Sequence, residues 1–338
     1  MIREEITGRC PMDETDVRCP MDETDLISHN ILYFLKKKLK KLYGRKKPFR
    51  IFHAKSIGLV HGKLIVEKNL NARLKQGMFK QPGEYDLRIR FSNGNSTVTS
   101  DNEKALRGMA IKVLKVQSCK NPDNAAEGHT QDIILLNIPF FVPGIASRQM
   151  AAMKLLLGNF FQKLDSFFKI FLPFLSINLK FLKKVTKTAN ILEEMYFSTT
   201  PYCFGEKEAI KWHVRPLKTI TSVLPENPGE NFLRDRLIRD LSPHAKEDVA
   251  FALYVQFQEN EKTEPIEDVS VTWKTEFHPV GIITIPKQNI DTEDRKQEDE
   301  KMTFSPGRTI VEHAPLGGVN MIRKKVYEQL AKERLKHP

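Results

Sequence analysis

From Phe49 onward, short β-branched or aromatic runs alternate with clusters of Gly, Asn and Asp. IFHAKSIGLVHGKLIV, EYDLRIRFS, RGMAIKVLKV and QDIILL come first; EAIKWHV, DVAFALYVQF, VSVTW and GIITI follow after a long gap. Side chains alternate across a strand, and turn residues between consecutive runs favour antiparallel neighbours. About eight such runs in one sheet leave exposed edges unless the sheet closes, so the pattern predicts a mostly antiparallel β-barrel. A chain of 338 residues can surround that barrel with helices. The expected fold class is α+β, an antiparallel barrel of about eight strands with flanking helices.

The helical parts lie at the two ends and in the gap. Leu26 to Leu42 predicts an amphipathic helix, with Ile31, Leu35, Leu39 and Leu42 on one face and lysines elsewhere. Before it, RCPMDETD occurs at Arg9–Asp16 and again at Arg18–Asp25. Two copies of so short a unit bury nothing, and their acidic composition predicts a disordered tail. The chain therefore divides into a tail over 1–25, a basic arm over 26–48 and a main domain over 49–338 with a helical insertion at about 147–194. Within the insertion, Phe160, Phe161, Leu164, Phe167, Phe168 and Phe171 begin an apolar stripe that runs on to Leu175, and Pro173 should end its helix. Such a stripe packs against a core, or meets a membrane, or guides an apolar substrate.

Lys and Arg outnumber Asp and Glu by 54 to 42, for a net charge of +12. The excess concentrates in Lys36–Lys47 and Lys180–Lys187, which points to an acidic partner. No zinc-finger, RNA-recognition or basic-zipper pattern accompanies it, so no nucleic-acid partner is expected. Cys10 and Cys19 belong to the repeat and Cys119 and Cys203 stand alone, without the spacing of a disulfide framework or zinc site. The opening MIREEITGRC lacks the apolar core of a signal peptide, and no 18-residue apolar run is present. A cytoplasmic location is expected, with peripheral membrane contact through the basic arm.

Four stretches carry chemistry. In MIRKKVYEQLAKERL, Arg323, Tyr327 and Arg334 fall on one helical face. A free phenol ionises near pH ~10, but a ferric ion with a guanidinium one turn away favours the phenolate. His53 sits in a strand-like run three residues after Arg50. Arg90 and Ser92 in RIRFSNGN are two apart on a strand and face the same side. QDIILLNIPFF is an apolar strand ending in Asn137, Pro139, Phe140 and Phe141. Taken singly, each also fits a plain structural role.

In this order the four pieces resemble the catalase superfamily. The family's distal R-x-x-H-A-K-G-x-G is followed by Arg50 through Gly58 except at Ser56; its R-F-S is Arg90-Phe91-Ser92, and its R-G-x-A-x-K is Arg107 through Lys112. Its N-N-x-P-x-F-F appears as Leu136 to Val142, its proximal R-x-x-x-Y as Arg323 and Tyr327, with Arg334-Leu335 following, and FSPGRTIVEHAPLGG stands where the family has an F-x-P. A compact bacterial branch with Y-F-S-x-x-P-Y-x-F-G is matched at Tyr196 to Gly205.

The resemblance implies a barrel around a buried haem b, its iron ligated by Tyr327, with Arg323 hydrogen-bonding the phenolate. It makes His53 the distal acid/base oriented by Ser92, and sets Arg50, Arg90 and Arg334 against the propionates, with Phe141 and Asn137 completing the site. One departure stands out: Leu136 occupies the distal asparagine position, and Asn137, its neighbour, points to the other face of the strand. The implied function is a haem-dependent oxidoreductase, of catalase or peroxidase type, consuming hydrogen peroxide or organic peroxides. Its alternatives are a fatty-acid hydroperoxide isomerase of the allene oxide synthase type, acting on a lipid hydroperoxide, and a non-catalytic, membrane-associated haem-binding protein. The resemblance leaves room for a homo-oligomer. The chain stops eleven residues after Tyr327, before the helical region that follows the barrel in full-length catalases, so their nucleotide site and tight tetramer are not expected.

Overall fold

In a computed structural model, which describes residues 22–43, 50–116, 129–218 and 221–336, the alternating runs form nine strands. They are β1 (Ser56–Val66), β2 (Glu84–Asn93), β3 (Arg107–Val113), β4 (Gln131–Leu136), β5 (Tyr196–Phe197), β6 (Tyr202–Phe204), β7 (Glu208–Pro216), β8 (Val249–Phe257) and β9 (Phe277–Ile285). Their order is β5-β4-β3-β2-β1-β9-β8-β7-β6, and β5 pairs with β7 as well. That last pairing closes an antiparallel barrel of eight strands, with β6 added on β7.

Inward-pointing residues fill the barrel. Ile89 and Phe91 of β2, Met109 and Ile111 of β3, Ile133 and Leu135 of β4 and Trp212 of β7 belong to one buried cluster. Truncating an aromatic in such a core costs about 3–5 kcal/mol, because the neighbours only partly collapse into the void. The intervening residues form the outer face. Register aligns them in rows across the first strands: Leu59, Arg90, Ala110 and Ile134 in one, and Ser92, Gly108 and Leu136 in the next.

Two expectations about strands are corrected. VSVTW is not a strand: Val269 exchanges backbone hydrogen bonds with Phe141 and Gly144 in a loop instead of joining the ladder. The first run becomes a strand only at Ser56, with a bulge between Ser56 and Gly58, so His53 lies on a bend before β1. β5 and β6 are too short to show as periodic runs.

The helices are α1 (Glu23–Tyr43), α2 (Gln149–Leu157), α3 (Phe160–Ser166), α4 (Leu175–Lys184), α5 (Phe232–Asp240), α6 (Glu293–Lys301) and α7 (Gly318–Leu335). Ile31, Phe34 and Leu35 of α1 pack against Ile322 and Val326 of α7; Ile31 and Leu35 belong to the expected apolar face, and the side chains of Leu39 and Leu42 lie outside the described residues. Asn159 starts α3 with a capping box to Gln162. The chain then passes through a π turn at Phe167–Phe171, and Pro173 separates it from α4. A packed stripe is not what forms here: Phe160, Phe161 and Phe168 are 72%, 77% and 57% exposed. Cys203, read as standing alone, is disulfide-bonded. The other three cysteines, nearly all of the repeated head and the Gly44–Lys47 end of the basic arm lie outside the described residues.

Candidate functional site

A cleft opens between the outer face of β2–β4 and helix α7. The barrel wall supplies Arg90, Ser92, Gly108, Ala110 and Ile134, residues of the two outer rows. The opposite wall is one face of α7, where Tyr327, Leu330, Ala331 and Arg334 recur at helical spacing. The segment Arg50–His53 closes one side, and Thr303 with Phe304 another.

His53 rests against the barrel wall. Its backbone has φ 55, the left-handed region that few non-glycine residues occupy. That strained turn sends the ring towards β2 and β3, where Nδ1 lies 2.9 Å from Ser92 Oγ. Gly108 makes the approach possible, since a Cβ there would sit 2.5 Å from ring atoms of His53. Burial foremost, then the charges of Arg90, Arg323 and Arg50, push the imidazole pKa down to about 3. The ring is therefore neutral at physiological pH.

Three guanidiniums gather at one end. Arg90 donates through Nε to Asp299 Oδ1 at 2.8 Å and through Nη1 and Nη2 to the His53 carbonyl. Arg50 uses Nη2 for the carbonyls of Asp299 and Met302. Arg334 donates to the carbonyls of Glu300 and Met302 and lies 3.5 Å from the Glu300 carboxylate. Burial foremost, and then Arg90 and Arg334, lower Arg50 to about 9. Each guanidinium carries five donors. Positive charge thus concentrates around the end of α6, a setting that attracts carboxylates.

Tyr327 projects from α7, its ring near-parallel to that of Phe52 at 6.3 Å. The Arg323 guanidinium stands 5.7 Å from the ring centroid. It donates to Thr200 Oγ1 at 2.7 Å and to Asn320 Oδ1, and among the described residues it makes no hydrogen bond to the phenol. A resemblance-based role as direct donor to the phenolate is replaced in this geometry by a charge over the ring.

Not every expected residue is in the cleft. Asn137 is turned away: Oδ1 accepts from the Arg107 backbone N–H and Nδ2 donates to Glu194. Leu136, by contrast, shares the outer row of Ser92 and Gly108, although it is not among the lining residues. Phe141 is tied by its backbone to Val269 and is not among the lining residues. A further contributor, Asp132, belongs to no motif. Asp132 is fully buried between Lys112 Nζ at 2.7 Å and Arg308 Nη1 at 2.8 Å, and it accepts from the Ser305 N–H. This triad fastens the segment that presents Thr303 and Phe304 to the cleft. Lys112 ends the R-G-x-A-x-K match and Arg308 lies within FSPGRTIVEHAPLGG, whereas the only signal at Asp132 is a charge at the start of an apolar run.

Among the described residues, no group of three His, Cys, Asp or Glu side chains is arranged to hold a metal ion. The donor set of the cleft does match what haem b would need. A phenol on one wall is a hard oxygen ligand, an imidazole stands on the other, guanidiniums suit two carboxylates, and Ala110, Ile134 and Phe304 line the walls between.

No protein-family model matches the chain, and no curated protein matches it in sequence. Solved structures do. A fungal catalase superposes with a TM-score of 0.64 at 17% identity, over 100% of this chain and 67% of that one. A bacterial catalase gives 0.64 at 16% over 99% and 68%, and catalase A from Saccharomyces cerevisiae 0.62 at 16% over 99% and 68%. At this identity the likeness concerns the backbone: the chain has the catalase fold, a closed eight-stranded antiparallel barrel flanked by helices.

Proposed function

We propose that the chain is a haem-dependent oxidoreductase that consumes hydrogen peroxide or organic peroxides. One observation carries this reading: a single cleft brings together His53 held by Ser92, Tyr327 on the facing helix and three guanidiniums at one end. Bound haem b would supply the redox-active iron. Arg50, Arg90 and Arg334 would hold its propionates, and Tyr327 would ligate the iron through its phenolic oxygen. In the tautomer whose Nδ1–H faces Ser92 Oγ, the neutral His53 leaves Nε2 free to take the proton of an incoming peroxide and return it to the departing oxygen. The apolar walls keep bulk water from this exchange.

The test is the absorption spectrum of the protein reconstituted with haem b, combined with peroxide-dependent oxidation of an organic donor. A tyrosinate-type ferric spectrum with turnover supports the reading. Failure to bind haem, or a spectrum of histidine ligation, overturns it. Leu136 in the outer row of Ser92 and Gly108, where an amide would otherwise stand, favours a second reading, isomerisation of a lipid hydroperoxide, since without that amide hydrogen peroxide is positioned poorly. Product analysis separates the two, because an isomerase consumes no reductant. A haem-loaded but peroxide-inert protein would support a purely haem-binding role.

A further inference from the structure

The insertion between β4 and β5 turns its apolar residues outward. On α4, Leu175, Leu179 and Leu182 recur at i, i+4 and i+7, and all three are exposed, at 41%, 45% and 51%. The phenylalanines Phe160, Phe161 and Phe168 continue the surface through α3 and the π turn. Polar groups take the inward side: Ser166 and Asn178 are buried, and Asn178 donates to the Phe171 carbonyl. Ile177 and Phe181 of α4 are half-buried beside Asn178, so the helix carries more apolar surface than its inner side covers. Residues 149–187 also hold seven lysines and one acid, Asp165, a net +6, and Asp165 is already paired with Lys169 at 2.8 Å.

We propose that α3, the π turn and α4 form a docking surface for an anionic phospholipid bilayer. The phenylalanines and leucines enter the interface, and the lysines around them meet the acidic headgroups. Charge selects this occupant over a second copy of the chain, because two such faces would bring +6 against +6. No described helix is long and apolar enough to cross a membrane, so the contact is interfacial. The preceding α2 is packed on the main body: its Met150, Met153 and Leu157 border the same apolar cluster as Phe52 and Leu330, which line the cleft. The inference is independent of haem and of any reaction.

Co-sedimentation of the full chain with phosphatidylcholine vesicles, with and without phosphatidylserine, tests it. The wild type should pellet with the phosphatidylserine vesicles and be released as salt shortens the screening length from ~10 Å at 0.1 M to ~3 Å at 1 M. Phe161→Ser combined with Phe168→Ser should lower partitioning by at least about tenfold, through lost apolar burial. Lys183→Glu with Lys184→Glu should abolish the preference for phosphatidylserine. Hydrogen exchange over residues 160–184, slowed in the wild type by the same vesicles, provides a readout that needs no variant. The proposal is overturned by a wild type that stays in the supernatant, by variants that bind as well as the wild type, or by lipid-free self-association that the phenylalanine variant removes.

Discussion

His53 and Ser92 are 39 residues apart in the chain, yet Nδ1 and Oγ meet at 2.9 Å across the rim of the barrel. If this pair is the distal machinery, His53→Ala should leave haem bound while peroxide-dependent oxidation falls by about 10²–10⁴, the usual loss for a general acid/base. Ser92→Ala removes one orienting hydrogen bond, worth about 0.5–1.5 kcal/mol, and should cost about two- to tenfold. His61→Ala is the control. That ring bonds Glu298 at 2.8 Å and does not line the cleft. Steady-state peroxidation at equal haem content decides among them, and an unaltered rate in the His53 variant would remove its role.

Tyr327→Phe keeps the α7 backbone and the stacking against Phe52 but deletes the only oxygen offered to iron from that wall. Haem content after reconstitution should drop sharply, and any remaining haem should lose the tyrosinate spectrum. An unchanged spectrum would mean that another residue is the ligand.

Leu136→Asn would place an amide in the row of Ser92 and Gly108. Oxygen evolution from hydrogen peroxide should rise, while oxidation of an organic donor changes less, because the amide can hold the outer peroxide oxygen. A buried amide without a partner costs about 1–3 kcal/mol, so a lower melting temperature should accompany the gain. Oxygen-electrode traces showing no gain would refute the idea that this leucine limits disproportionation.

Asp132→Ala leaves Lys112 and Arg308 facing each other without their shared carboxylate. Breaking a buried ion pair by removing one partner costs about 3–5 kcal/mol. Urea unfolding of the variant should show a loss of that order, and haem retention should weaken as Phe304 loosens. A loss of only a few tenths of a kcal/mol would show that the triad does not hold this wall.

Three buried histidines set the acid stability of the haem-free protein. Burial is the largest cause in each case, lowering His53 to about 3 and His213 and His313 to about 4. An unfolded histidine titrates near ~6.5. Between those values the unfolded chain binds protons that the folded chain does not, so stability is lost as the pH falls from about 6.5 towards 4 and changes little from this source above it. Melting temperatures from pH 7.5 to pH 4.5 should show this slope. His313→Phe, placed among Phe79, Phe204 and Trp212, should flatten it; an identical slope would assign the effect elsewhere.

Local order was legible where a short-range rule governs it. Arg90 and Ser92 share a face because strand periodicity is two, and both line the cleft. Tyr327 and Arg334 do so because a helix returns to the same face after seven residues. The bend at His53 was not legible, since the residues around it read as strand. Its left-handed backbone persists only because Ser92 and the space above Gly108 receive the ring. Asp132 likewise looks like a misplaced charge in an apolar strand until Arg308 arrives from 176 residues away.

By itself, then, the sequence determined the alternating runs, the amphipathic faces of α1 and α7, and which side chains could act together on one element. These follow from the fixed periods of strand and helix, which depend on nearest neighbours alone. The tertiary structure decided what each face meets. The stripe at Phe160–Leu175 has the periodicity of a core helix, yet no other described element covers Phe160, Phe161 and Phe168, because periodicity specifies that a face is apolar and not what buries it. Barrel closure through the two-residue β5, the turning away of Asn137 and the gathering of Arg50, Arg90 and Arg334 around α6 likewise depend on contacts between distant segments. Their free energy exists only once the whole barrel has formed.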